Sequence, residues 1–160
     1  MKIFLRYLIL LISITISFVA NAQIINIPDA NFKAKLLEAD YTKSIARNLL
    51  NNYIEVDING NNEIEQSEAL RVYNLDVSSS QITDLTGIQA FTNLRSLGIS
   101  ENQLTSINVS GLTNLQGLYC DRNQLTNLNL SSLTNLQYLN CNNNQLTTLN
   151  LSGLTNLLTL

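Results

Sequence analysis

The chain has 160 residues, a length suited to one domain, with 45% hydrophobic residues, only 13% charged residues and a formal net charge of −3. It contains no histidine and no tryptophan. That removes the commonest catalytic base and metal ligand, and with it any Ser-His-Asp arrangement. No glycine-rich phosphate cradle occurs either, and the acidic balance argues against nucleic acid or anionic lipid as partner, since both need a basic face. The expectation is a non-enzymatic protein.

Residues 1–22 read as a signal peptide. Lys2 and Arg6 provide the positive start, and Leu8 to Val19 is an apolar run too short to span a bilayer comfortably. Ala20-Asn21-Ala22 is a small-x-small cleavage site, so the mature chain is expected to begin at Gln23, with no transmembrane segment. Without Lys2 and Arg6, the 9 basic residues fall to 7 against 12 acidic ones, a mature net charge of −5. The expected destination is secretion or the cell surface, with the periplasm as an alternative.

Residues 23–68 form a non-repetitive unit expected to be a helical N-terminal cap. Pro28-Asp29 suits a helix start, with Asp29 as cap or first-turn acid, and Phe32, Leu36 and Leu37 share a face beside Ala30 and Ala34. A second, weaker helical pattern covers Ser44 to Asn52, with Ile45, Leu49 and Leu50 as its apolar face.

The one constellation with site chemistry lies at residues 57–68. Asp57, Asn59, Asn61, Glu63, Glu65 and Glu68 place oxygen ligands at positions 1, 3, 5, 7, 9 and 12, with the apolar Ile64 at position 8. This spacing resembles an EF-hand calcium loop. Glu63 would act through its backbone carbonyl, and Glu68 through both carboxylate oxygens from the start of a helix expected over Ser67 to Tyr73. Asn62 stands where glycine is usual, and Asn tolerates the left-handed backbone needed there. With three side-chain carboxylates near the ion, the resemblance implies weak Ca²⁺ binding, about 10⁻⁴–10⁻³ M, that pins the cap to the first repeat.

From Ala69 the sequence repeats. Val72/Leu75/Val77/Ser80/Ile82/Leu85 is followed by Leu94/Leu97/Ile99/Asn102/Leu104/Ile107, then Leu115/Leu118/Cys120/Asn123/Leu125/Leu128 and Leu136/Leu139/Cys141/Asn144/Leu146/Leu149. The period is 21 residues after a first unit of 22. Such a period signals a solenoid of stacked units, each with a short parallel strand and an extended or 3₁₀ outer side. Asn102, Asn123 and Asn144 fall just after the strand, where an amide can bond the backbone of the neighbouring turn. These repeats resemble the leucine-rich repeats of internalin-type and other secreted bacterial proteins. The expected fold class is therefore a leucine-rich-repeat solenoid over residues 69–160, with a small helical cap.

The repeat accounts for two apparent site signals. Cys120 and Cys141 hold the same inward column as Ile99, so buried free thiols are expected. A disulfide is chemically open to an exported chain, but in-register parallel neighbours orient it poorly. Asn108-Val-Ser110, Asn129-Leu-Ser131 and Asn150-Leu-Ser152 match a glycosylation pattern only because the unit recurs.

The strand residues between the inward ones should form a concave face: Asn74, Asp76, Ser78; Ser96, Gly98, Ser100; Gly117, Tyr119, Asp121; Tyr138, Asn140, Asn142. Tyr119 and Tyr138, with Asp121, Asn140 and Asn142, are the candidate ligand-binding residues, suited to a protein or carbohydrate partner. The expected function is an exported binding or adhesion module; the alternative is a passive spacer or a truncated fragment of a larger surface protein. The last repeat, Leu154/Leu157/Leu160, lacks its turn Asn and closing Leu, which suggests a longer relative.

Overall fold

The computed structural model describes residues 23–160; the signal-peptide expectation lies outside them. Helix α1 spans Ala30–Leu37, strand β1 Ala46–Arg47 and the short helix α2 Gln66–Ala69. Strands β2 (Asn74–Asp76), β3 (Ser96–Gly98), β4 (Gly117–Tyr119) and β5 (Tyr138–Asn140) follow at the repeat spacing. Among the described residues these strands form one sheet in the order β1-β2-β3-β4-β5. The four repeat strands are parallel and in register, Leu75↔Leu97↔Leu118↔Leu139. This is the expected solenoid stack. A bridge from Tyr138 to Thr159 extends the parallel pairing toward the last unit.

The register follows from the sequence pattern. Leu75, Leu97, Leu118 and Leu139 point inward and are all but fully buried, while their strand neighbours turn to the concave side. Val77, Ile99 and Cys120 continue the inward column, closed by Leu85, Leu104, Leu112, Leu125 and Leu133 from the outer side. The outer side holds one 3₁₀ turn among the described residues, Ile88–Ala90, in the one-residue-longer first unit. Elsewhere it runs through single turns, in which the Leu112, Leu115, Leu133 and Leu136 amides donate to the Val109, Leu112, Leu130 and Leu133 carbonyls.

Asn102 and Asn123 form the inner ladder. The Asn102 Oδ1 accepts from the Ser80 and Ile82 amides at 3.1 and 3.0 Å, and its Nδ2 donates to the Val77 and Ile99 carbonyls at 3.0 Å each. Asn123 bonds the Leu104 amide and the Ile99 and Cys120 carbonyls, and Asn144 repeats the pattern one unit on. A second ladder runs along the outer side: Asn93, Asn114, Asn135 and Asn156 donate to the carbonyls of Leu70, Thr92, Thr113 and Thr134. The glycosylation-like triplets are turns in which Ser110, Ser131 and Ser152 amides donate to Asn108, Asn129 and Asn150.

The N-terminal segment is tied to the first repeat at several points. Phe32 and Leu36 of α1 join the continuous apolar core. Asp29 caps α1 through the Phe32 amide at 2.9 Å. Its other oxygen accepts from the Thr83 amide and hydroxyl and the Asp84 amide at 2.8–3.0 Å. Gly87 sits at φ +103° with Asn26 and Ile27 where a Cβ would go, so the chain closes over it tightly.

Two expectations in this segment are corrected. Residues 44–52 form no helix: β1 pairs antiparallel with β2, Ala46↔Leu75, and bridges back from Arg47 to Tyr53. The Asn48 side chain accepts from the Leu50 and Asn52 amides, and Asn51 takes a left-handed φ of 65°. This local turn chemistry overrides the helical spacing and leaves Leu49 and Leu50 exposed, with only Ile45 of the expected face buried. The helix expected over Ser67 to Tyr73 ends at Ala69, because the Tyr73 amide is already committed to the Arg47 carbonyl at 2.8 Å as the chain enters β2.

Candidate binding surface

The parallel strands place columns of side chains on the concave side. Asn74, Ser96, Gly117 and Tyr138 are in register, followed by Asp76, Gly98, Tyr119 and Asn140. Two glycines shape the middle. A Cβ on Gly117 would sit 3.2 Å from the Tyr119 Cε2, so the Tyr119 ring lies back across the glycine. A Cβ on Gly98 would sit 2.8 Å from the Asp76 Oδ1, so that carboxylate occupies the space a side chain would fill. Both tyrosines are exposed, Tyr119 by 40% and Tyr138 by 43%. Exposed aromatic rings on a rigid sheet are costly to leave in water and productive in contact.

Tyr119 stands between two hollows. On one side is a cavity of about 290 Å³ lined by Tyr119, Tyr138, Asn140, Asn142 and the chain end at Thr159 and Leu160. On the other is a trough of about 430 Å³ reaching from Tyr119 across Gly98 and Asp76 to the β1 hairpin. Four of the five expected ligand-binding residues thus border the first hollow. Asp121 is instead tied down beside it: its Oδ1 accepts from the Ser100 hydroxyl at 2.5 Å and from the Asn140 Nδ2 at 3.0 Å. Asp121 and Asn140 therefore brace the face, leaving the tyrosines and Asn142 to present it.

Sequence reasoning missed Arg47. The β1 hairpin carries it to the trough's far wall, with its guanidinium 4.6 Å above the Tyr53 ring and bonded to the Asn51 Oδ1 and the Tyr53 hydroxyl at 3.1 Å each. The signal was present in the Asn-rich stretch Asn48 to Asn52, whose turn propensity marks a hairpin.

The loop at 57–68 is curled by left-handed residues and side-chain bonds. Asn62 has φ 62° and Gly60 φ 69°, and Ile64 is fully buried. The Asp57 carboxylate accepts from the amides of Gly60, Asn61 and Asn62. Asn59 and Asn61 turn their amide groups onto the Glu65 carboxylate at 3.1 and 2.7 Å. Glu68 accepts from the Ile58 and Glu65 amides, so the loop's two ends meet on it. The Glu63 side chain turns away to Lys33 at 2.8 Å. Ile64 and Gln66 pair with Ile25 and Gln23, holding the loop against residues 23–25. Burial and the adjacent Glu65 push the Glu68 carboxyl above its usual value, while bonds from Glu68 and Asn61 hold Glu65 below it. Among the described residues no three carboxylate or thiol side chains converge as a metal site by themselves, so an ion here would draw on Asn and backbone oxygens as well.

Cys120 is fully buried and Cys141 half-buried, and both are free. Burial, then the neighbouring Cys141 and Asp121, push the Cys120 thiol up to about 12, and burial raises Cys141 too. Such thiols stay protonated and act as small apolar side chains.

No family model matches the sequence, and no curated protein matches it. Solved structures do. The functional domain of InlJ from Listeria monocytogenes, described as including a cysteine ladder, is 34% identical over 86% of this chain and 28% of its own length, with a TM-score of 0.68. The internalin InlF of the same organism is 28% identical, covering 81% of this chain and 35% of its own, with a TM-score of 0.63. A leucine-rich-repeat protein of Leptospira interrogans is 26% identical over 57% of this chain and 25% of its own, with a TM-score of 0.56. The chain thus has an internalin-like leucine-rich-repeat fold and spans about a third or less of the length of these neighbours. Among the described residues no helix is long and apolar enough to cross a membrane.

Proposed function

We propose that the chain is an exported, non-enzymatic binding or adhesion module that engages a protein or carbohydrate displayed at a surface through its concave face. The observation that carries this is the pair Tyr119 and Tyr138, both exposed on a parallel sheet and bordering two hollows. The internalin-like fold supports the same reading, because stacked repeats build extended concave surfaces suited to contact. Export rests on the charged start, short apolar run and cleavage triplet of residues 1–22.

The test is an array of immobilised extracellular proteins and glycans probed with the purified protein. Tyr119→Ala/Tyr138→Ala is expected to lower affinity for any retained partner roughly thirtyfold, in line with loss of two aromatic contacts. Its melting temperature should not change, since neither ring is in the core. Equal affinity of wild type and variant would move the site elsewhere, and no retained partner at all would favour the passive-spacer reading.

We further propose that residues 57–68 hold Ca²⁺ through Asp57, Asn59, Asn61, the Glu63 carbonyl, Glu65 and Glu68. An ion would neutralise Glu65 and Glu68, which stand together almost out of solvent, and would lock the loop that holds residues 23–25. Binding needs the Asn59 and Asn61 amides to turn their oxygens inward. At tenfold excess over Kd the folded protein should gain about 1.4 kcal/mol, or roughly 3 °C in Tm. Calorimetric titration with millimolar CaCl₂ should show heat that Glu68→Gln abolishes. No heat and an unchanged Tm in the wild type would exclude the ion.

A further inference from the structure

The trough on the β1 side of Tyr119 has a chemistry of its own. Its floor is the sheet at Leu75, Ser96 and Gly98, and its walls are Arg47, Asp76 and Tyr119. Its volume, about 430 Å³, falls within the range of small-ligand sites, roughly 300–1,000 Å³. It holds one base and one acid that do not neutralise each other: among the described residues neither Arg47 nor Asp76 belongs to an ion pair.

Each wall group is held in place by its surroundings. Arg47 spends donors on Asn51 and Tyr53 and stacks on the Tyr53 ring, which fixes the plane of its remaining N–H groups. The Asp76 Oδ1 accepts from the Ser78 amide at 3.0 Å and lies in the space over Gly98. Tyr119 lies across Gly117 rather than standing free. A planar donor, a carboxylate acceptor and an aromatic ring are thus set around one floor before any ligand arrives.

We propose that this trough is a carbohydrate subsite, in which Tyr119 packs against the apolar face of a pyranose while Asp76 accepts from, and Arg47 donates to, its hydroxyls. This rests on the reading of the concave face as a binding surface and names the ligand class of its β1 end. A neutral polyol uses donor and acceptor together and leaves neither charge unmatched. An inserted apolar side chain would strand both charges. A basic or acidic side chain would satisfy one and repel the other.

The purified, ¹⁵N-labelled protein is titrated with the methyl glycosides of glucose, galactose, mannose and N-acetylglucosamine, with glycine and alanine as zwitterionic controls. The expected result is saturable millimolar binding of at least one glycoside, with amide shifts at Arg47, Asp76, Gly98 and Tyr119. Gly98→Ala places its Cβ 2.8 Å from the Asp76 Oδ1, so it forces that carboxylate from its place and should weaken that binding about tenfold, the effect of one lost charged hydrogen bond. Asp76→Asn, nearly isosteric, should do the same and serves if Gly98→Ala perturbs the sheet. Three results would each overturn the assignment: no shift with any glycoside, shifts centred on Tyr138 and Asn142 instead, or binding of the amino acids in preference to the sugars. A loss confined to glycosides, with the tyrosine-dependent array binding intact, would remove the sugar and keep the concave face.

Discussion

Asn102→Ala is expected to cost about 4 kcal/mol of folding stability, or roughly 10 °C in Tm. The side chain is nearly buried and satisfies the amides of Ser80 and Ile82 and the carbonyls of Val77 and Ile99. Alanine leaves the Ser80 and Ile82 amides and the Val77 carbonyl without this partner, while the Ile99 carbonyl keeps Asn123, and each unsatisfied buried group costs about 1–3 kcal/mol. The sum falls short of three full penalties because the cavity can admit water. Asn144→Ala provides the contrast. It bonds the same kinds of group but is only partly buried, so solvent can replace it and about 1–2 kcal/mol is expected. Urea denaturation of both variants checks the difference; equal costs would mean that the ladder's burial is not what matters.

Asp29→Ala should cost about 3 kcal/mol, measured the same way. One carboxylate both caps α1 and clamps the N-terminal segment onto the first repeat at Thr83 and Asp84. Burial works against ionisation of this carboxyl, but the bonds from Phe32, Thr83 and Asp84 outweigh it and hold the pKa below the ordinary 3.8. A group depressed on folding stabilises fully above its unfolded pKa and loses that contribution as pH falls through its folded value. The gap between wild type and Asp29→Ala should therefore be constant from neutrality down to the ordinary carboxyl value and shrink only below it. A gap already closing near pH 6 would assign the effect to another group.

The repeat was legible because periodicity carries register. Once Leu97, Leu118 and Leu139 are inward, their neighbours must be concave, and Asn102 and Asn123 must fall at the turn. Asp29 as a cap was legible from Pro28-Asp29, but its second oxygen bonds Thr83, 54 residues away, and no local pattern announces such a partner. The stretch 44–52 misled because Ile45 and Leu49 stand at helical spacing. Asn48 and Asn51 set a turn there instead, and the pairing of Ala46 with Leu75 decided the outcome. That single misreading hid Arg47, and with it the trough. The outer Asn ladder stands in every L-T-N-L line, yet Asn on an exposed side reads as a solvated residue until its partner carbonyl is placed.

The central claim is that the concave ring around Tyr119 is the contact surface. Nitration by tetranitromethane, read by mass spectrometry with and without an array-identified partner, tests it most directly. Tyr41, 64% exposed and outside the sheet's concave columns, is the internal control against Tyr119 and Tyr138. A saturating partner should protect Tyr119 and Tyr138 while Tyr41 reacts as before. Nitration of Tyr119 and Tyr138 at the same rate in the bound and free protein would contradict the claim.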